Sequence, residues 1–278
     1  MIFKTLQNTP IEELTAVFNE AFKNYFVNLH FTSEQLAFKF KVDGVKLHLS
    51  VGAFDDRKLV GFIFHGTNDN ATNLIAYNAG TGVAPAYRGL HLPKKMYEFI
   101  LPALKNGGIK TILLEAITEN ERAIRIYKSL NFSIVRKVDC YKATVDLDKK
   151  ENKHPVTVSE KVNVATLEKW WNFQPAWQNS FYAINKQLER VINLVVQKDE
   201  VMLGYLILNL VSGRVMQVAV RPEFRKQGIG TALFKAAVER KKELTLINMD
   251  ERDIITAGFL KNMGFEYTIS QYEMKLDL

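Results

Sequence analysis

The chain has 278 residues, 47% hydrophobic and 24% charged, which excludes a disordered or fibrous polymer and leaves room for two domains at roughly 150 residues each. Its formal charge of +7 is spread along the chain, without an arginine-rich tail or a basic helix carrying interleaved aromatics, so nucleic acid is not an expected partner. The lone cysteine, Cys140, excludes an intrachain disulfide and a cysteine-built zinc cluster, and the longest near-apolar run, Val201 to Val211, is about half the ~20 residues of a membrane helix. Met1 to Pro10 lacks the charged-then-apolar order of a secretory signal, so the expectation is a cytoplasmic protein that does not enter a membrane.

In chain order, Ile11 to Phe26 carries a helical stripe of Leu14, Val17, Phe18, Ala21, Phe22 and Tyr25. Leu47 to Phe54 and Leu59 to His65 read as strands joined by the polar turn Asp55-Asp56-Arg57, and Ile75 to Val83 as a third, ended by Pro85. Leu92 to Leu104 is a predicted helix stopped at Asn106-Gly107-Gly108, Thr111 to Ala116 a short strand, and Asn120 to Leu130 a second helix. Phe132 to Val145 reads as a strand pair. The polar stretch from Asp146 to His154, followed by Pro155, is the expected linker, dividing the chain into domains 1–148 and 155–278.

The second half repeats this order. Leu167 to Leu188 reads as a helical region, followed by strands Val191 to Gln197, Val201 to Leu210 and Val215 to Val220. Helix Thr231 to Arg240, strand Leu244 to Ile247, helix Asp253 to Asn262 and strands over Phe265 to Met274 complete it. Val83-Ala-Pro-Ala-Tyr-Arg88 matches Val220-Arg-Pro-Glu-Phe-Arg225 at an offset of 137, and Leu130-Asn131-Phe132 matches Met263-Gly264-Phe265 at an offset of 133. Two ordered matches at nearly equal offsets indicate a tandem duplication of one α/β domain.

The segment Arg225-Lys226-Gln227-Gly228-Ile229-Gly230-Thr231 lies between a predicted strand and helix. Two glycines admit a close ligand, the first N–H groups of the helix point outward, and Arg225 and Lys226 add positive charge, a combination suited to a pyrophosphate. No Gly-Lys-Ser/Thr follows, so this is not a Walker loop. Leu233, three residues past Gly230, departs from the dinucleotide fingerprint.

These residues resemble a known family. Val220-x-Pro-x-Phe-Arg225-x-x-Gly228-x-Gly230 is similar to the coenzyme A loop of the GCN5-related N-acetyltransferases (GNAT family). Asn120-x-x-Ala123-x-x-x-Tyr127-x-x-x-Asn131-Phe132 resembles that family's later motif, with Asn131 at the usual glycine. The resemblance spans essentially the whole chain. It implies two GNAT-like α/β domains, each a mixed central sheet flanked by helices, that transfer acetyl from acetyl-CoA to a primary amine of a small molecule or peptide. It places the pyrophosphate on the loop (Arg225 to Thr231; Arg88, Gly89, Leu90, His91 and Lys94 in the first half). Pantetheine then lies along the preceding strand, at Val218 and Val220 or at Val83.

The halves depart from the family pattern in complementary ways. His91 and Pro93 replace both family glycines in the first loop. Tyr127 holds the position at which the family donates a proton to the departing thiolate, and Asn120 stands where it either contacts the cofactor or caps the helix. The second half keeps the glycines but has Leu260 and Asp253 at those two positions. Glu115, near the end of the first half's fifth strand, is the best-placed general base, although an ordinary solvent-facing glutamate also fits. For Trp170, Trp171, Phe173 and Trp177, packing between the halves is preferred over lining an acceptor cleft. No metal is expected. The alternatives to an enzyme are a CoA- or acyl-CoA-binding protein without turnover, which a core-facing Tyr127 would favour, and an interaction protein with both clefts closed.

Overall fold

The computed structural model describes residues 1–68, 74–144, 154–159 and 167–278; the expected linker, His154 apart, lies outside them. The chain forms two compact units, Met1–Val135 with Tyr272–Leu278, and Arg136–Gln271. These differ from the contiguous division expected from sequence. Residues 136–144 pair within the second unit, and the C-terminal residues complete the first.

The first unit contains β1 (Ile2–Thr5), α1 (Ile11–Phe22), α2 (Ser33–Asp43), β2 (Val51–Asp55), β3 (Lys58–Thr67), β4 (Leu74–Val83), α3 (Leu92–Asn106), β5 (Ile109–Ile117) and α4 (Glu121–Ser129). Strands β1 to β4 pair antiparallel in chain order. β5 joins β4 in parallel, but the pairing ends at Tyr77 and Leu113, where the strands part. Helices α3 and α4 cover one face through Met96, Tyr97, Ile100, Ile124 and Tyr127, packed on Val60, Ile63, Ile112 and Leu114. The opposite face is aromatic. Phe62 stacks on Phe64 at 4.3 Å, Phe18 on Phe62 at 5.8 Å, and Phe40 meets Phe64 edge-on at 4.7 Å, tying α1 and α2 to β3.

Three elements depart from expectation. α1 stops at Phe22 rather than Phe26, since Asn24 takes a left-handed φ of 65°. The strand expected from Leu47 begins at Val51, because Leu6 N–H reaches the carbonyls of both Leu47 and Ser50 and holds Leu47–Leu49 as a tight turn. α2 escaped the periodicity reading because its buried apolar residues are only Leu36 and Phe40. Its ends are nonetheless well marked, by a Thr32–Gln35 capping box and by Gly44 at φ 70°.

Gly66 in β3 lies under the Asp43 carbonyl, which a Cβ would approach to 2.0 Å. Gly66→Ala is therefore expected to destabilise the chain by about 1–3 kcal/mol, the usual range for forcing an extra carbon into a filled site. Urea denaturation measures it.

The second unit contains most of β6 (Ser133–Thr144), then β7 (Thr157–Ser159), α5 (Phe181–Asn185), β8 (Val191–Lys198), β9 (Val201–Asn209), β10 (Val215–Val220), α6 (Ile229–Arg240), β11 (Glu243–Asp250), α7 (Ile254–Asn262) and the start of β12 (Glu266–Asp277). β7 to β10 form an antiparallel sheet, and β6 pairs antiparallel with β11. Among the described residues, β10 and β11 meet at one parallel bridge, Arg214 to Thr245, and are splayed beyond it. Leu206, Leu208, Leu233, Phe234, Leu260 and Phe265 pack α6 and α7 onto the sheet. The expected helical region over Leu167 to Leu188 is instead a series of single turns plus α5, and each expected closing strand pair is one long strand, β6 or β12.

Candidate active site

The duplication is repeated in the backbone. In β4, pairing to β3 steps from Phe64–Gly80 to His65–Asn78, leaving Ala79 as a bulge; in β10, pairing to β9 steps from Ile207–Gln217 to Leu208–Val215, leaving Met216. The two bulged residues are again 137 apart. A turn opened by proline follows each strand, Pro85–Tyr87 and Pro222–Phe224. Two left-handed residues then precede each helix: Gly89 (90°) and His91 (55°), Lys226 (61°) and Gly228 (88°). This alternation turns successive N–H groups toward one side and forms an anion nest.

In the second unit the first helical bond runs from Ala232 N to Gly228 O, so Ile229, Gly230 and Thr231 keep N–H groups without an intrahelical acceptor. In the first unit the equivalent bond is Lys95 N to His91 O, and Pro93 removes one of the three donors. A Cβ at Gly228 would meet the ring of His154 at 3.8 Å, while His154 Nε2 lies 2.7 Å from Gln227 O. A Cβ at Gly230 would lie 3.4 Å from the Phe259 ring of α7, in ordinary van der Waals contact, and Gly230 lines the second unit's cavity between β10 and β11.

Both loop arginines are engaged by the protein itself. Arg88 Nε donates to Val83 O (3.4 Å) and its Nη2 to Ala21 O (2.8 Å). Arg225 Nε donates to Val220 O (3.1 Å), its Nη2 to Trp170 O (2.7 Å) and its Nη1 to Asn172 Oδ1 (2.9 Å). These guanidinium groups pin the turn to the strand end and to the preceding segment. The outward-turned N–H groups of the backbone nest are the donors of this loop that suit an anion. Lys94 pairs with Glu98 at the surface, Leu90 is exposed, and Gln227 Nε2 donates back to Glu223 O.

The first unit places Glu115 two residues beyond the last β4–β5 pair, where Tyr77 hydroxyl donates to its carboxylate at 2.7 Å. Burial, with Glu273 and Asp43 adding negative charge nearby, pushes the Glu115 carboxyl up to about 7, against the lowering effect of Tyr77. On the other side of the strand, Tyr127 is 8% exposed with its ring against Phe132 and Tyr97. Its hydroxyl bonds Thr81 and Asn78 at the bulge, and burial pushes it up to about 12. Asn78 Nδ2 also donates to Tyr97 hydroxyl (2.7 Å) and Thr81 Oγ1 (2.8 Å). Asn120 caps α4 by accepting from Ala123 N, and its Nδ2 donates to Tyr25 hydroxyl at 3.4 Å. Asp253 is its counterpart, capping α7 through Thr256 N.

In the second unit a cavity of about 460 Å³ opens between β10 and β11, lined by Val218, Val220 and the loop from Arg225 to Thr231, Gln227 excepted. Trp170, Trp171 and Phe173 line it too, whereas sequence had favoured packing between the halves. Asn172 spans the mouth, accepting from Arg225 and donating to Asp253 Oδ2 at 2.9 Å. Sequence reading missed Tyr77, Asn172, Asn179 and Asn248. Of these only Asn248 had a findable signal, since it stands 133 after Glu115.

Residues 11–132 match the model described as "Acetyltransferase (GNAT) family", and residues 189–267 the model "Acetyltransferase (GNAT) domain". The chain belongs to the GNAT family. Among solved structures, a GCN5-related N-acetyltransferase from Sphaerobacter thermophilus is similar at 15% identity and TM-score 0.72, covering 99% of this chain and 95% of that one. A tandem GNAT protein from the clavulanic acid biosynthesis pathway is similar at 12% identity and TM-score 0.69, covering 99% and 98%. A third, from Anabaena variabilis, has 14% identity and TM-score 0.61, covering 99% and 72%. At these identities the likeness is one of fold. A search of curated proteins finds no match. As a GNAT protein with both domains present, the chain is an acyltransferase by family. Among its described residues no helix is long and apolar enough to cross a membrane.

Proposed function

We propose that this GNAT protein acetylates a primary amine, on a small molecule or a peptide, with acetyl-CoA as co-substrate, and that the first unit carries the reaction. The observation that carries this reading is Glu115, a partly buried carboxyl with a near-neutral pKa at the point where β4 and β5 part. Glu115 takes the proton that the amine loses as its nitrogen bonds to the thioester carbonyl carbon. Tyr127, kept protonated by burial, offers its O–H to the sulfur as the carbon–sulfur bond breaks. Tyr77 fixes the Glu115 carboxylate, and the nests at Gly89–Lys94 and Lys226–Thr231 suit the CoA pyrophosphate.

A second reading, CoA or acyl-CoA binding without turnover, is favoured for the second unit, where Leu260 and Asn248 stand at the positions of Tyr127 and Glu115. The packing of the Tyr127 ring in the core favours it for the first unit too. Turnover with a panel of amines, followed by thiol release from acetyl-CoA, decides between enzyme and binder.

The nest with three helical donors is expected to be the tighter CoA site. Gly228→Asp places a carboxylate against it and strains a φ of 88°. Acetyl-CoA, which should raise the melting temperature of the parent chain, should raise that of this variant clearly less. An equal rise would refute the assignment.

A further inference from the structure

Helix α2 brings a primary amine of the chain itself to the proposed base. The C-terminal end of this helix is fixed on β3. Thr67 N–H donates to Gly44 O at 3.1 Å, Lys46 N–H donates to His65 O at 2.8 Å, and Gly66 lies under the Asp43 carbonyl. Gly66 pairs across the ladder with Tyr77, whose hydroxyl donates to the Glu115 carboxylate at 2.7 Å. The end of α2 therefore stands on the face of the sheet that carries Glu115. Lys39 lies one turn earlier on α2, and its ammonium pairs with the Asp43 carboxylate. Its side chain is only 21% exposed, unusually low for a residue type that normally extends into water. Both charges reach Glu115: Asp43 raises the pKa of its carboxyl and Lys39 lowers it.

Lys39 thus meets what the proposed reaction asks of its substrate, a primary amine held by one carboxylate beside a carboxyl that can take its proton. We infer that Lys39 is an internal acceptor, acetylated by its own first unit from acetyl-CoA. This rests on the reading of Glu115 as the base. In the step, the Lys39 nitrogen bonds to the thioester carbonyl carbon and the carbon–sulfur bond breaks, its electron pair going to sulfur. The ammonium loses two protons on becoming an amide. One passes to Glu115 and on to solvent, and the other leaves with the sulfur as the CoA thiol. The product is a neutral acetyl-lysine that no longer pairs with Asp43, so the charge of the site falls by one and Glu115 loses a neighbouring cation. Self-acetylation would in this way reset the charge that an incoming amine meets.

The test incubates the full-length chain with acetyl-CoA and no added amine, then maps acetyl groups by peptide mass spectrometry. Acetylation at Lys39 is expected, at a rate independent of protein concentration, because acceptor and base share one chain. Glu115→Gln should slow it by about 10²–10⁴-fold, the usual contribution of a positioned base. Acetylation of an exposed lysine such as Lys105 should not change in that variant. Lys39 modified equally fast in Glu115→Gln, or no faster than Lys105, is a chemical side reaction and overturns the inference. A mixture of Glu115→Gln and Lys39→Arg chains should leave Lys39 of the former unmodified; its acetylation there would put the reaction between molecules and overturn the internal acceptor. Glu115-dependent turnover of added amines with Lys39 unmodified overturns the internal acceptor and spares the reading of the site. Absence of any Glu115-dependent transfer, to Lys39 or to added amines, overturns both.

Discussion

Glu115→Gln is expected to lower kcat/KM for the amine by about 10²–10⁴-fold, the usual contribution of a positioned base, and to remove one limb of the pH profile. In the parent enzyme that limb rises through pH of about 7, where the carboxyl releases its proton. The acceptor's own ionisation adds a limb common to every variant, so the comparison between variants is what reads Glu115. Tyr77→Phe supplies the control. Its hydroxyl stabilises the carboxylate, so removing it should move the limb to higher pH, whereas a purely structural tyrosine would change the rate and leave the limb in place. The same group has a signature in stability. Its ordinary value of 4.5 is raised in the folded chain to about 7, so between those pH values the folded state binds the extra proton and stability falls as pH rises. Glu115→Gln should flatten that stretch of the stability–pH curve, measured by urea denaturation from pH 4.5 to 7.5. A curve and a rate profile both identical to the parent's would remove Glu115 from the mechanism.

Features written in local chemistry were legible in the sequence, and features that depend on partner choice were not. The duplication shows in Val83–Arg88 against Val220–Arg225 because that turn needs a proline after the strand and an arginine to bond the strand-end carbonyl, whichever half it occurs in. The cap positions Asn120 and Asp253 were visible for the same reason. The exchange of terminal strands was not, since β6 and β12 have the apolar content of any strand and nothing local names the neighbour. The charge of Arg225 is visible in the sequence, whereas the carbonyls it bonds, those of Val220 and Trp170, carry no residue-type signature. Asn179 lies in a stretch with no clear periodicity, and only the folded cavity sets it beside Asn248.

Tyr127→Phe is expected to slow the chemical step by about 10²–10³-fold, the usual cost of losing one hydrogen-bond donor to developing charge, while changing the melting temperature little, because the ring keeps its contacts with Tyr97 and Phe132. The hydroxyl is held by Thr81 and Asn78 at the β4 bulge, and burial pushes its pKa up to about 12. A phenol so weakly acidic does not hand its proton outright to a thiolate whose conjugate acid has a pKa of about 8.5, the free-thiol reference value. On the proposed reading it supplies a hydrogen bond that strengthens as negative charge gathers on sulfur, an interaction worth more in the transition state than in the ground state. The expected split follows: kcat falls, while the KM for acetyl-CoA changes far less. Asn78→Ala removes a partner of that hydroxyl and should reproduce part of the loss in kcat, with little further effect when combined with Tyr127→Phe. Stopped-flow measurement of thiol release separates the chemical step from product departure. Unchanged turnover in Tyr127→Phe, together with loss of activity in Gly228→Asp, would transfer the reaction to the second unit, where Leu260 offers the sulfur no hydrogen bond.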